Sequence, residues 1–346
     1  MVVLKRLWLY SVRAYLKLGL FFYFKKIQVF NLNNVPKDKP VLFLANHQNA
    51  LLDPLLIATN CNRFLYFLTR AGVFKKAFIS KIFASLQMLP VYRIRDGWSN
   101  LTNNTAIFNR CSYLLSKNEA ILIFPEGSHN IVRTVRPLSK GFTRIVFDTL
   151  DKYPDTDLHL IPVGLNFINS MGFPDSTAIY YGEPIRAKDF VFKDKNTSIV
   201  KLKTRIQLEL SKLTTHIPSN QYSLNLEKLN QLNVDFLKPT EVNKCLQSNF
   251  QDCKPKQKDN ALGLKRILKF LLKTNLIGPY VVWRFRVKPK IKEIEFISTF
   301  RFALAITLVP LWIFILVFTL AYCFGWTIAM GYLVATIILA LLAVKV

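Results

Sequence analysis

One uncharged apolar run near the end of the chain, residues 302–344, is the feature that most limits what the chain can fold into. As a single α-helix its about 43 residues would measure about 65 Å, whereas the hydrocarbon core of a bilayer is about 30 Å thick. Phe324, Gly325 and Trp326 supply a turn near the midpoint of the run. The pattern therefore predicts a two-helix transmembrane hairpin within residues 296–346. Pro310 keeps a second interpretation open, in which a bent helix pair enters the bilayer without crossing it.

Basic residues are concentrated immediately before this apolar run. The whole chain has 47 Lys and Arg against 21 Asp and Glu, a net charge of +26. Between Lys254 and Lys292 the basic side chains are Lys256, Lys258, Lys265, Arg266, Lys269, Lys273, Arg284, Arg286, Lys288 and Lys290. Such charge marks the cytoplasmic side of a membrane, and each residue near an anionic leaflet contributes about 1 kcal/mol. Because Lys345 follows the second span, we expect a multi-pass membrane protein with the rest of the chain on the cytoplasmic face. A solvated basic linker is the alternative interpretation of the cluster.

The chain divides into four parts by composition. Residues 1–30 mix aromatic and basic side chains, which favours an N-terminal helix in the membrane interface, with a plain surface helix as the alternative. Residues 31–217 alternate short apolar runs with helix-like segments, which predicts an α/β domain with a mixed, largely parallel sheet flanked by helices. Residues 218–295 predict a polar and basic helical linker, and residues 296–346 contain the hairpin.

Within the α/β part, apolar runs and helix periodicity predict the individual elements. Strands are expected at residues 41–45, 64–68, 89–92, 121–124, 160–165 and 178–181. Helices are expected at residues 52–59, 77–86, 101–115, 142–150 and 199–213.

The cysteines are odd in number and none falls in a Cys-x-x-Cys pair. They are Cys61, Cys111, Cys245, Cys253 and Cys323. This pattern supports neither a disulfide framework nor a zinc site, and it fits a reducing cytosolic compartment.

The first polar cluster follows a predicted strand. Asn46 and His47 come directly after residues 41–45, and Asp53 lies at the start of the next helix. This is where α/β proteins place catalytic groups. A histidine can take a proton from an alcohol near neutral pH when a carboxylate fixes its tautomer and offsets the imidazolium charge. The pair predicts a dyad that activates a substrate hydroxyl, although an aspartate at a helix start is also an ordinary cap.

Two further clusters follow predicted strands. After residues 121–124 come Pro125, Glu126, Gly127 and Ser128. A glycine lets backbone approach a ligand closely, and amides in such a turn can hold a phosphate or hydroxyl while the glutamate accepts hydrogen bonds; a plain turn is the alternative. Arg93 directly follows the strand predicted at residues 89–92, and its planar guanidinium can bind a phosphate through two hydrogen bonds.

Taken in order, these blocks resemble the membrane-bound glycerolipid acyltransferases, the glycerol-3-phosphate and 1-acylglycerol-3-phosphate acyltransferase family. Four blocks carry the resemblance: Asn46-His47 with Asp53-Pro54, Val91-Tyr92-Arg93, Phe124-Pro125-Glu126-Gly127, and Leu160-Ile161-Pro162-Val163. It covers about residues 41–185, and residues 181–185 resemble the closing strand of that domain.

The resemblance implies roles for particular residues. His47 would be the general base and Asp53 its orienting partner. Arg93 would be a phosphate clamp, Glu126 with Gly127 an acceptor-binding turn, and Pro162 part of the wall of the site. The substrate-contacting residues expected on this basis are Asn46, Asn49, Arg93, Glu126, Gly127, Ser128 and Pro162.

The sequence departs from the family pattern in two places. The His-to-Asp gap, usually four residues, is five here, and on a helix one extra residue turns a side chain by about 100°. Either the turn bulges, or Asn49 shares the orienting role of Asp53. A threonine and an arginine usually follow the Glu-Gly pair, whereas Ser128 and His129 stand here, so that Arg133, Arg136 or Lys140 would replace the missing charge.

The function implied is acyl transfer from a thioester, acyl-CoA or acyl-carrier protein, to a phosphorylated glycerol acceptor at a lipid bilayer. Lysophosphatidate is the preferred acceptor, with glycerol 3-phosphate or another lysolipid as the alternative. No cofactor, metal or nucleic acid is expected. A membrane-tethered basic protein that binds lipid or nucleic acid is the rival from another class. A serine hydrolase is excluded because the chain has no Gly-x-Ser-x-Gly motif.

Overall fold

A mostly parallel sheet forms the centre of the structure, a computed structural model that describes residues 2–92, 103–256 and 262–346. The strands are β1 (Phe24–Phe30), β2 (Val41–Ala45), β3 (Leu65–Arg70), β4 (Met88–Val91), β5 (Ala120–Ile123), β6 (His159–Phe167), β7 (Asp175–Tyr181) and β8 (Ile185–Arg186). Their order is β1-β7-β6-β2-β5-β3-β4, and β8 pairs with β6. Among the described strands, β6 pairs antiparallel with β7 and β8, and the other pairings are parallel. The predicted mixed, largely parallel sheet is confirmed.

Continuous apolar runs explain why β2, β5 and β6 lie at the centre of this sheet. β2 reads VLFLA and β5 reads AILI, and every residue of β2, β5 and β6 is buried. Parallel strands covered on both faces have this composition. Because β2 pairs parallel with β5 and with β6, the carboxyl ends of all three meet at one edge of the sheet. The loops that carry His47 and Glu126 therefore leave the sheet side by side.

The described part of the chain also contains helices, some of which cover the two faces of the sheet. They are α1 (Val2–Tyr23), α2 (Leu52–Thr59), α3 (Ala77–Ser85), α4 (Asn103–Ser116), α5 (Gly141–Lys152), α6 (Lys195–Leu213), α7 (Tyr222–Gln231), α8 (Pro239–Gln247), α9 (Leu262–Asn275), α10 (Ile277–Val281), α11 (Ile297–Phe324) and α12 (Trp326–Lys345). On one face, α4, α5 and α6 pack on Leu42 and Leu44 of β2. On the other, α1, α2 and the beginning of α11 pack on Val41 and Phe43. This alternation follows from the period of two along a strand.

The first thirty residues are not a single helix, which corrects the predicted extent of the N-terminal helix. α1 ends at Tyr23, and β1 then pairs parallel with β7 at the edge of the sheet. The ring of Phe30 stacks on Tyr180 of β7, with centroids 4.5 Å apart. Leu20 and Tyr23 at the end of α1 are buried in the domain core. The earlier part of α1 exposes apolar side chains, among them Leu4, Leu7 and Trp8.

Residues 218–256 form a small helical cluster on the α/β domain. α7 and α8 enclose a core of their own, built from Ile217, Leu229, Val234, Phe236, Val242 and Cys245. Cys245 and Cys253 form a disulfide. The expectation of no disulfide was wrong here, because the chain turns back after α8 and brings together two cysteines that no spacing motif marks.

α11 and α12 form an apolar hairpin that turns at Gly325, where φ is +86°. Both helices are long and apolar enough to cross a membrane. The base of the hairpin is fixed to the domain, because Phe302 is 1% exposed within the core, a burial that contributes about 1.5–3 kcal/mol. At the other end of the hairpin, Lys345 Nζ donates to the carbonyl of Phe24 (2.8 Å). Both ends of the hairpin therefore meet the junction of α1 and β1.

Candidate active site

The loop after β2 brings His47 and Asp53 together. His47 Nδ1 and Asp53 Oδ2 are 2.8 Å apart, and the amides of Gln48 and Asn49 each donate to the same oxygen at 2.8 Å. The Asp53 side chain is 0% exposed and that of His47 is 16% exposed. A carboxylate that accepts the Nδ1 proton fixes the imidazole tautomer and leaves Nε2 as a proton acceptor. The arrangement can therefore act as a general base.

The five-residue gap between the two side chains is accommodated by a local bulge. Ala50 has a φ of +29°, and the Leu52 amide donates to the Asn49 carbonyl (2.8 Å). The Asn49 amide group is directed elsewhere, since its Nδ2 donates to the Ser170 carbonyl (2.8 Å). Of the two groups considered for orienting the imidazole, Asp53 is the one whose carboxylate is hydrogen-bonded to the His47 ring.

The loop after β5 covers the other side of the imidazole. The Phe124 ring stacks on the His47 ring with centroids 3.9 Å apart. The Asn130 amide donates to the His47 carbonyl (2.9 Å), which ties the two loops together. Phe124 belongs to a recognised block, but its contact with the imidazole was not foreseen, because no spacing rule relates residues on different strands.

The Glu126 turn is held by an arginine ten residues further along the chain. Gly127 has a φ of +74°, which glycine adopts without strain, and its amide donates to the Phe124 carbonyl (3.1 Å). Arg136 Nε donates to Glu126 Oε2 (2.5 Å), and Arg136 Nη1 donates to Ser128 Oγ (2.8 Å). Burial raises the pKa of the Glu126 carboxyl, and the facing Arg136 opposes that rise.

Of the three cations considered for this turn, the structure therefore brings Arg136 to it. Arg133 instead donates to the carbonyls of Phe167 and Ile168, at 2.9 and 2.8 Å. His47 and Glu126 line one small polar recess together with Asn130, Thr134 and Thr215.

Asn46 and Pro162 lie deeper than the other predicted residues. Asn46 Nδ2 donates to the Leu165 carbonyl (3.0 Å), and the Leu165 amide donates back to Asn46 Oδ1 (2.7 Å). Pro162 is buried opposite Leu44 in β2, and its carbonyl accepts from the Gly182 amide (2.8 Å). Both residues fix β6 next to the loop that carries His47. Arg93 lies outside the described residues.

His129 connects the Glu126 turn to the segment that precedes α11. Its Nε2 lies 3.1 Å from Glu293 Oε2, and its ring contacts that of Phe296. Burial lowers the pKa of the His129 imidazole, as does nearby His47. His129, Glu293 and Glu295 bring three metal-ligand atoms within 4.8 Å of one another.

Part of the chain is similar in sequence to known acyltransferases. A family model described as Acyltransferase matches residues 26–166. Glycerol-3-phosphate O-acyltransferase 1 of Saccharomyces cerevisiae is 28% identical over 95 residues, which are 27% of this chain and 12% of the yeast protein. A probable 1-acyl-sn-glycerol-3-phosphate acyltransferase of Mycoplasma pneumoniae is 26% identical over 171 residues, 47% of this chain and 58% of that protein.

A solved structure is also similar. The crystal structure of the 1-acyl-sn-glycerophosphate acyltransferase of Thermotoga maritima has a TM-score of 0.44 and 18% identity, covering 60% of this chain and 80% of that one. The matched part of the chain spans between 12% and 58% of the length of the curated relatives above.

The sheet and its two helix layers define a mixed α/β domain with a hydrogen-bonded His47–Asp53 pair at the end of β2. Residues 26–166 match the family model described as Acyltransferase, and the relatives similar to this chain include a glycerol-3-phosphate O-acyltransferase and a probable 1-acyl-sn-glycerol-3-phosphate acyltransferase. The family resemblance carried by the sequence blocks is confirmed.

Proposed function

We propose that the chain is a membrane-bound O-acyltransferase that transfers a fatty acyl group from a thioester to the free hydroxyl of 1-acyl-sn-glycerol 3-phosphate. The product is phosphatidate, a step of phospholipid biosynthesis. The observation that carries the proposal is the His47–Asp53 pair, 2.8 Å apart, in one recess with the Glu126 turn.

In the proposed reaction, His47 Nε2 removes the hydroxyl proton as the oxygen attacks the thioester carbonyl carbon. The tetrahedral intermediate then expels the thiolate, which takes the proton back from the imidazolium. The Asp53 carboxylate accepts the hydrogen bond from Nδ1–H throughout, and its negative charge stabilises the imidazolium. No covalent acyl-enzyme is needed, because the base acts directly on the acceptor.

The acceptor would be held by the predicted binding residues. Arg93 would clamp the phosphate, and Gly127, Ser128 and the backbone of the Glu126 turn would contact the glycerol. The Glu126 carboxylate is engaged by Arg136, which supports a role in shaping the turn. Glycerol 3-phosphate is the second candidate acceptor, because the relatives named above act by name on one or the other. Acyl-CoA or acyl-carrier protein would be the donor, and no cofactor enters these steps.

The membrane would supply the acyl donor and receive the product, because both partition into lipid. The hairpin would cross the bilayer twice, because both of its helices are long and apolar enough to do so. The acyltransferase domain would then lie on the cytoplasmic face, next to the basic cluster. A membrane-tethered basic protein that binds nucleic acid or lipid is the other functional class. It would show binding that weakens steeply with salt, and no acyl transfer.

Mass spectrometry of the products tests the proposal. The purified full chain, with labelled acyl-CoA or acylated carrier protein, is offered lysophosphatidate, glycerol 3-phosphate and a lysolipid without a terminal phosphate. The expected result is labelled phosphatidate at the highest rate. Faster transfer to glycerol 3-phosphate would show that this compound, and not lysophosphatidate, is the preferred acceptor. The absence of transfer to every acceptor would overturn the proposal.

A further inference from the structure

The loop between His47 and Asp53 is held from two sides. On its inner side, Asp53 Oδ2 accepts from the amides of Gln48 and Asn49. On its outer side, the contact comes from the membrane hairpin. The Leu51 amide donates to Thr299 Oγ1 (3.1 Å), and Thr299 lies in the first turn of α11.

Thr299 supplies an acceptor for the Leu51 amide. Leu51 precedes the first residue of α2, and the first amides of a helix have no carbonyl partner within the helix. No side chain of the loop caps that end of α2. Thr299 is 7% exposed and Leu51 is 40% exposed, so that the hydroxyl meets the amide in a partly buried contact. A residue 248 positions further along the chain thus provides the missing acceptor.

A second link runs through the neighbouring serine. Ser298 Oγ donates to the Ser170 carbonyl (2.7 Å), and the same carbonyl accepts from Asn49 Nδ2 (2.8 Å). Asn49 is one of the residues whose amide is bound to Asp53. Ser298 is 2% exposed. Two consecutive hydroxyl side chains of α11 therefore support the two ends of the bulge at Ala50.

The segment before α11 contacts the other catalytic loop. Glu293 and Phe296 contact His129, whose ring centroid is 5.6 Å from that of His47. The beginning of the hairpin therefore adjoins both loops of the site, while the rest of α11 is an apolar helix that packs on α1, α10 and α12.

We propose that the first turn of the membrane hairpin is a positioning element of the catalytic site, acting through Thr299 and Ser298 on the loop that carries His47 and Asp53. This inference rests on the proposed acyl transfer. It assigns no contact with substrate to either residue. Because reactive groups must be held to within a fraction of an ångström, a small displacement of the loop lowers the rate of the chemical step more than it weakens substrate binding.

Hydroxyl removal at Thr299 tests the proposal, with controls in the same helix. Thr299→Val keeps the shape and loses the acceptor, whereas Thr299→Ser keeps the acceptor. Thr307→Val removes a hydroxyl that bonds only within α11, to the Ala303 carbonyl among the described contacts (2.7 Å). We expect Thr299→Val to lower kcat by about tenfold or more with KM changed by less than about threefold, and Thr299→Ser and Thr307→Val to stay within about twofold of the wild type.

Hydrogen exchange at the Leu51 amide gives a readout that does not depend on activity. The amide should exchange faster in Thr299→Val than in the wild type, Thr299→Ser or Thr307→Val. Unchanged exchange with unchanged kcat in Thr299→Val would overturn the proposal, as would equal loss of kcat in Thr307→Val. If the wild type transfers no acyl group, the proposed function fails, whereas changed exchange in Thr299→Val would still show the loop contact.

Ser298→Ala provides a second variant for the case in which Thr299→Val does not fold. It should also lower kcat, with KM nearly unchanged, because the Ser170 carbonyl, which accepts from Asn49 Nδ2, loses the bond that fixes it to α11. Wild-type kcat in a folded Ser298→Ala protein would contradict the positioning role.

Discussion

Asp53 is the residue on which the geometry of the site depends most. One fully buried carboxylate oxygen accepts from the imidazole and from two successive backbone amides. A buried carboxylate is costly unless such donors surround it. The Asp53 side chain therefore orients the His47 ring and also fixes the backbone between the two residues. Its proposed role in catalysis and its role in local structure depend on the same oxygen.

Replacement of Asp53 by asparagine should lower kcat by about 10²–10⁴-fold. An amide can donate to Nδ1, which would move the imidazole proton to Nε2 and abolish its capacity as a base. Asn49→Ala removes the side-chain bond to Ser170 but keeps the backbone amide that donates to Asp53, and it should cost less than about tenfold. Initial rates of labelled acyl transfer by the two purified variants measure this. Equal losses would contradict the assignment of Asp53.

At the residue scale, sequence reasoning found the blocks but not their contacts. The sequence could relate His47 to Asp53 because both residues follow the end of the same strand, β2. The sequence could not show that Arg136, and not Arg133, contacts the Glu126 turn. The loop after Gly127 is irregular, so that the spacing of its residues does not predict which side chains face the turn. Thr299 carried no signal, since it lies in an apolar helix 248 residues from its partner.

The end of α6 packs unusually close to β6. A Cβ on Gly164 would lie 2.6 Å from the Leu213 Cβ and would also overlap the Leu213 carbonyl. That carbonyl is backbone and accepts from Asn166 Nδ2 (2.9 Å), so it cannot move aside freely.

Gly164→Ala should therefore lower the free energy of unfolding by about 1–3 kcal/mol. Gly141→Ala is the matched control, because its Cβ would meet only Ser139 Oγ at an ordinary 3.7 Å. Thermal denaturation followed by circular dichroism compares the two. A Gly164→Ala protein as stable as Gly141→Ala would contradict the close packing of α6 on β6.

Asp175 at the start of β7 makes the stability of the domain depend on pH. Burial raises the pKa of its carboxyl to about 7. Because the folded-state pKa lies above the unfolded value of 3.8, the contribution to stability is fully present below about pH 4 and is lost as the pH rises through about 7.

The thermal midpoint should accordingly fall between pH 5 and pH 8 by more in the wild type than in Asp175→Asn, which cannot ionise. Asp155→Asn, at an exposed position, should keep the wild-type pH dependence. Parallel pH dependence in the wild type and Asp175→Asn would show that this carboxyl does not titrate in that range.

At the element scale, buried parallel strands were the most predictable part of the fold. β2 matched its predicted bounds because a continuous apolar run ending in polar residues has few other interpretations. β1 was missed because FKKIQVF is a charged edge strand whose pairing depends on β7, far along the chain. The two-residue β8 was missed because it is too short to show a period.

For the whole molecule, the depth of the hairpin decides how the site faces the bilayer. Both ends of the hairpin meet the domain, and Cys323 lies exposed two residues before the turn at Gly325. The other free cysteines, Cys61 and Cys111, are buried, and Cys245 is paired with Cys253. Cys323 is thus a native reporter for the tip of the hairpin.

If the hairpin crosses the membrane twice, a membrane-impermeant maleimide should label Cys323 from outside intact cells. Lys193→Cys, at an exposed position of the domain, should add a label only after the cells are permeabilised. Labelling of Cys323 that also requires permeabilisation would favour the bent pair that enters and leaves on one side, and would contradict the double crossing.

The most direct test of the whole account is the transfer rate of His47→Ala. The purified full-length variant is compared with the wild type, using labelled acyl thioester and lysophosphatidate. Membrane binding and the thermal midpoint of the variant are first shown to equal those of the wild type. The account predicts a loss of about 10²–10⁴-fold, because the proposed base is gone while the binding residues remain. A folded, membrane-bound His47→Ala protein that transfers acyl groups at close to the wild-type rate would contradict it.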